Sequence, residues 1–304
     1  NVPHEQVDAR WFYNRKHKGA DDLLQRMNLG LGELDIMEGA VRFSGRNAAS
    51  KALPSLYDLF GLAKRIQPKI LIAFGPADLS QDKNLVLLDR QIDVLRYASL
   101  KDTELKRTYY VAHRTLNTAD FGVGVSKSYS VIIGVREDIA RSHQLAADMA
   151  ILTLFPSPSN HLKGTLRAAL EGLMSDRSEE DFWALETSRN SKLVKATKFI
   201  TQNTNETLWL PSLGLKQLRA FGYKANEATK VYRCSYHRPA PDFDFYDPKD
   251  HEKWGLLHPT NNRLLTVSEL AATVGLPKGY KLLGNDIAKA KSAAAIIPPA
   301  FVCA

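Results

Sequence analysis

The chain has 304 residues, 44% of them hydrophobic and 24% charged, with a net charge of +8. That balance describes a globular protein with a real core, and without an uninterrupted apolar run of about 18 residues no membrane span is expected. Two cysteines only, Cys234 and Cys303, argue against a disulfide framework and a zinc site. No basic-then-apolar leader opens the sequence, so an intracellular setting, cytoplasm or nucleoid, is expected.

Taken in chain order, residues 19–31 read as a short amphipathic helix, with Asp21 and Asp22 at its positive end and Gly30 as its stop. Residues 34–37 read as a short buried strand. Residues 54–66 have helical spacing and open on Pro54, which suits a first helical turn. Strand 70–74, helix 85–97, strand 107–112 and strand 129–135 follow. This alternation predicts an α/β layer with a largely parallel sheet.

After Pro156 and Pro158 the chain becomes more charged and more aromatic, which marks a second, smaller domain. From residue 257 order returns. Thr266 followed by Glu269 has the spacing of a capping box at a helix start. The expected organisation is 1–153, then 154–256, then 257–304 returning to the first domain, with a helix near 288–295 packed on its sheet.

Three stretches in order resemble the cytosine-C5 DNA methyltransferase family. Asn117, Asp120 and Gly122, followed by a strand ending at Arg136, are similar to the family's Asn-Ala-x-Asp-Tyr-Gly-Val segment and its Ile-Gly-x-Arg strand. His258-Pro259, then Arg263-Leu264-Leu265-Thr266 with Glu269, resembles Arg-x-Leu-Thr-x-Arg-Glu-x-Ala. Pro298-Pro299 stands where the family has Gly-Asn-Ala-Val-Pro-Pro. The resemblance implies a doubly wound, S-adenosylmethionine-dependent methyltransferase-like sheet with a smaller domain, and DNA held in a cleft and read by that smaller domain.

The chain departs from the family where the chemistry lies. The family adds a cysteine thiolate to cytosine carbon 6, which makes carbon 5 electron-rich. That cysteine sits in Pro-Pro-Cys, whereas here Gly39 and Phe43-Ser44 flank a shorter loop without it. The family's Glu-Asn-Val is replaced within 73–80, where Asp78 falls too late to match. Its Gln-x-Arg-x-Arg is replaced by 124–130, where Lys127 keeps one charge but no bidentate fork. No Asp-Leu-Phe-x-Gly-x-Gly donor turn is found, and Ala293-Ala294-Ala295 stands in for Gly-Asn.

The expectation is therefore a catalytically inactive relative that binds DNA, with no catalytic residues, no metal and no cofactor. An active methyltransferase or a larger nucleoprotein complex is the expected further partner. The alternative is an atypical but active DNA cytosine-C5 methyltransferase, or another base-modifying enzyme, using S-adenosylmethionine. The basic balance favours a polyanionic partner, because each cation near a phosphate releases a counterion. Arg189, Lys192, Lys195 and Lys198 recur every third residue, a spacing that makes one winding basic stripe on a helix. Lys216 and Arg219 repeat it beside Trp209 and Phe221. Together with Arg42, Arg46 and Lys127 they are the expected DNA contacts. A solvated helix face accounts for the stripe equally well. Asp242, Asp244, Asp247 and Asp250 form an acidic aromatic turn, expected to be solvated rather than a cation site.

Overall fold

The computed structural model describes residues 18–41, 48–97, 108–158, 164–173, 205–213, 215–224, 230–243 and 254–302. Contacts divide the chain into two units. One is Asn1–Leu116 with Ser128–Ser157, and the other is Asn117–Lys127 with Pro158–Ala304.

The first unit starts with α1 (Lys18–Met27), shorter than the sequence suggests. Asn28 takes the left-handed conformation (φ 55°), and Leu29 N–H and Asn28 N–H donate to Leu24 O and Gln25 O. That double closure ends the helix before Gly30 is reached. Strand β1 (Ile36–Ala40) leads to α2 (Ala48–Ile66), β2 (Ile70–Pro76), a 3-10 turn (Ala77–Ser80) and α3 (Asp82–Arg96). Pro54 lies inside α2 rather than in its first turn, which corrects the expected start. Its side chain is exposed. Strand β3 (Tyr109–Asn117) runs five residues past the expected end, and β5 (Ser128–Arg136) follows after a short excursion carrying β4 (Val125–Ser126).

The sheet order is β1-β2-β5-β3. β1 and β2 are parallel with Ile36 opposite Ile70, but β2 and β5 are antiparallel with Phe74 opposite Val131. The sheet is thus mixed, not largely parallel. The connection from β3 to β5 is too short for the crossover helix that a parallel return requires. One face is packed by α2 and α3: Leu56, Phe60, Leu71, Leu88, Ile92 and Ile132 are all fully buried in one cluster. The short helices α4 (Glu137–Ser142) and α5 (Asp148–Ile151) close the unit.

Lys64, on α2, is buried among these apolar residues with its Nζ donating to Leu95 O at 3.4 Å. Burial pulls its pKa down to about 8 from the ordinary 10.5. Between those values the unfolded chain binds more protons than the folded one, so stability rises with pH across that window. Below about 8 the folded state carries the full cost of the buried charge. Lys64→Met is therefore expected to stabilise the protein at pH 7, with an advantage that shrinks towards pH 10. Urea midpoints of both proteins over that range check it; a gap that stays constant with pH would refute it.

The second unit holds α6 (Leu166–Leu170), β6 (Leu208–Trp209), α7 (Leu215–Ala220), β7 (Lys230–Arg233), β8 (Ala240–Pro241), β9 (Trp254–Leu257), α8 (Val267–Thr273), α9 (Asp286–Ala295) and α10 (Pro299–Val302). β6, β7 and β9 make a three-stranded sheet, and β4 pairs parallel with β8. The segment 257–304, assigned by sequence to the first domain, lies in this unit, where α9 packs on α8. Among the described residues no helix is long and apolar enough to cross a membrane.

Candidate functional site

The excursion 117–127 is built by its own side chains. Asn117 Oδ1 accepts from Ala119 N–H at 2.9 Å, and Thr118 Oγ1 donates to Val125 O at 2.6 Å. These two bonds fold the 3-10 turn Thr118–Phe121 back onto the strand that follows it. Gly122 ends the turn at φ 82°, a conformation that costs other residues energy, and Asp120 sits half-buried within it. Lys127 closes the excursion. It is 6% exposed and its Nζ donates to Ala294 O at 2.9 Å. A cation among the last carbonyls of α9 is favourably placed on the helix dipole. The expectation that Lys127 meets phosphate is corrected accordingly, since burial keeps the ammonium from solvent.

In the first unit, Arg136 is a structural tie. It is 3% exposed and donates to Gly32 O and Gln67 O, and it forks onto Asp138 through Nε at 2.7 Å.

In the second unit, Arg263 and Glu269 form a buried bidentate pair at 2.7 and 2.8 Å. Glu269 also accepts from Thr266 N–H while Thr266 Oγ1 accepts from Glu269 N–H, which is the expected capping box. Gly275 then ends α8 at φ 77°. His258 stands beside the pair, with Nε2 3.6 Å from Glu269 Oε1. Its Nδ1 accepts from the N–H groups of Thr260 and Asn261, which puts the proton of a neutral imidazole on Nε2. Arg233, fully buried, donates to His258 O, Asn261 O and Asn262 Oδ1. Burial pushes its pKa below the ordinary value, and those three acceptors engage its two terminal nitrogens in place of water, while Nε is buried without a partner.

Above this network opens a pocket of about 570 Å³, lined by Arg167, Glu171, Tyr236, His258 and Asn261 among others. The Tyr236 ring meets His258 edge-on at 5.9 Å, and the Arg167 guanidinium lies over it at 5.8 Å. The lining offers donors, acceptors, an aromatic face and a cation. Cys234, the one cysteine among the described residues, is buried away from solvent, and burial pushes its thiol up to about 12.

The family model for C-5 cytosine-specific DNA methylases matches residues 56–302. The chain belongs to that family. Two solved structures share the fold of this family member at low identity. One is a DNA modification methyltransferase encoded within an E. coli prophage, at 15% identity, covering 99% of this chain and 84% of the other, with a TM-score of 0.58. The other is the S. pombe Dnmt2 methyltransferase, at 9% identity, covering 98% and 80%, with a TM-score of 0.52. No curated protein matches this methylase-family chain by sequence.

In this family member β2 ends on Phe74, Gly75 and Pro76. Phe74 is buried there, and a Cβ on Gly75 would lie 2.3 Å from Leu79 Cδ1. On α9, Ala293 and Ala294 are buried and Ala294 O accepts from Lys127 Nζ.

Of the expected DNA contacts, Lys216 and Arg219 are exposed on α7. Trp209 is 45% exposed and stacks on Tyr232 at 6.4 Å, whereas Phe221 is buried in the core. Arg42, Arg46, Arg189, Lys192, Lys195 and Lys198 lie outside the described residues. So do Asp244, Asp247 and Asp250. Among the described residues no cluster of three metal-binding side chains occurs. Sequence reading missed Arg167, Tyr236 and Asn261. They are far apart along the chain, and only the His258-Pro259 motif pointed near them.

Proposed function

We propose that this member of the methylase family binds DNA without methylating it, acting as a partner or regulator of an active methyltransferase or within a nucleoprotein assembly. The observation that carries this reading is the fate of Lys127. The cation left in place of the family's arginine fork is spent on the carbonyl of Ala294. Supporting it, the buried Cys234 thiol stays protonated at neutral pH, so it offers no thiolate to add to cytosine. Lys216, Arg219 and the stacked Trp209, by contrast, lie on the surface, as a phosphate-and-base contact requires.

Two measurements test the reading. Incubation of the full chain with DNA and labelled S-adenosylmethionine is expected to transfer no label; transfer above background would restore the enzyme reading. A gel-shift titration at low salt is expected to show binding with little sequence preference. Replacing Lys216 and Arg219 together by Ala should weaken it across all sequences and lower the log-log salt slope by about one unit per cation removed. An unchanged slope would move the contact to the 189–198 stripe, and absence of any shift would end the DNA-binding reading.

A further inference from the structure

The pocket of the second unit has cations of its own beside it, other than Lys216 and Arg219, neither of which lines it. Arg167, at the start of α6, is exposed, and its guanidinium is held over the Tyr236 ring. A second cation stands beside the same wall: Lys278 Nζ lies 2.8 Å from where a Cβ on Gly172 would sit, next to the lining residues Glu171 and Leu173. Lys278 belongs to the segment 275–285, which contains no acidic residue and leaves Lys281, Tyr280 and Leu283 exposed as well. On the same lining as Tyr236 and His258, Asn261 is exposed, and its carboxamide, whose Oδ1 accepts from Thr260 Oγ1 at 3.4 Å, can donate and accept side by side.

Arg167 in the lining and Lys278 beside Gly172 outnumber the one exposed carboxylate of that wall, Glu171, and suit a phosphate. An aromatic wall with a paired donor and acceptor suits the plane and edge of a nucleobase. The volume of about 570 Å³ is in the range of small-ligand sites. We infer that this pocket holds one nucleotide unit, its phosphate between Arg167 and Lys278 and its base against Tyr236 with an edge on Asn261. The inference extends the nucleic-acid reading given above and names a site separate from Lys216 and Arg219. The nucleotide can come from a single strand or be free in solution; the chemistry at the pocket is the same.

The test uses the full chain and three variants at exposed positions, Arg167→Ala, Lys278→Ala and Asn261→Ala. A short fluorescein-labelled single-stranded DNA is titrated by anisotropy, and unlabelled dAMP and inorganic phosphate are used as competitors. Loss of a charge-assisted bond should weaken strand binding about tenfold in each cation variant. Asn261→Ala should weaken dAMP competition and leave inorganic phosphate unchanged, a split that a general loss of positive charge would not give. If dAMP shows these sensitivities and the strand does not, the site takes a free nucleotide. If neither strand nor dAMP affinity moves in Arg167→Ala and Lys278→Ala, the assignment is overturned. Duplex binding and its dependence on Lys216 and Arg219 are read separately, so either reading can fail while the other is judged on its own data.

Discussion

Glu269→Ala is expected to loosen the second unit by about 3–5 kcal/mol, because it strands a buried guanidinium without its counter-charge. Arg263 and Glu269 are both nearly inaccessible, and the carboxylate takes both terminal nitrogens of the arginine. It also accepts the Thr266 N–H at the start of α8, so the same substitution removes half of the capping box. The loss therefore exceeds that of a surface pair by several-fold. A double change, Arg263→Met with Glu269→Met, removes both charges at similar volume and is expected to recover much of the deficit. Hydrogen exchange of the amides of α8 reads the effect locally, which avoids assuming one cooperative transition for two units. Protection in Glu269→Ala within about 1 kcal/mol of the parent would show that the pair contributes far less than its geometry suggests.

Gly164→Ala should cost about 3 kcal/mol or more, at the upper end of what overpacking does. A Cβ there would fall 1.8 Å from Val123 O and 2.3 Å from Val123 C. These are backbone atoms, so no side-chain rotation relieves the clash. The excursion cannot simply back away either. A Cβ on Gly124 would meet Ala169 Cβ at 2.5 Å, so the excursion is closely packed there too, and β4 is paired to β8. The Gly164 N–H bond to Ala119 O, now 2.9 Å, would be strained as the two segments separate. Gly275→Ala is the control. It has open space around it and strain only from its φ of 77°, so about 1–2 kcal/mol is expected. Urea denaturation of the two variants ranks them; equal costs would show that the 119–123 turn yields easily.

The parts of this chain legible from sequence are those decided within a few residues. Thr266 and Glu269 announced a capping box because both partners of each bond lie in one helical turn. The β-branched run 129–135 gave β5 nearly to the residue. Pro54 misled because a proline favours a first turn only when nothing upstream continues the helix, and here 48–53 do. The direction of β5 relative to β2 depends on how the intervening chain returns, which local patterning does not encode. Lys127 reads as a DNA contact because its charge is visible in sequence, while the carbonyl that absorbs it is 167 residues away. The pocket escaped for the same reason: Arg167, Tyr236 and Asn261 acquire a common purpose only once α6 and the 258–263 turn are adjacent.

The excursion 117–127 also has a timetable. It belongs to the second unit although it is strung between two strands of the first, so on a ribosome it emerges long before its partners. Ala240, whose N–H donates to Gly124 O, and Ala294, which receives Lys127, are translated more than a hundred residues later. At about 5–20 residues per second that is a wait on the order of ten seconds or more. Through that interval the nascent chain carries an unmated strand edge and an unquenched ammonium. A product released before Ala240 keeps both permanently, which makes it a natural target for chaperone capture or proteolysis.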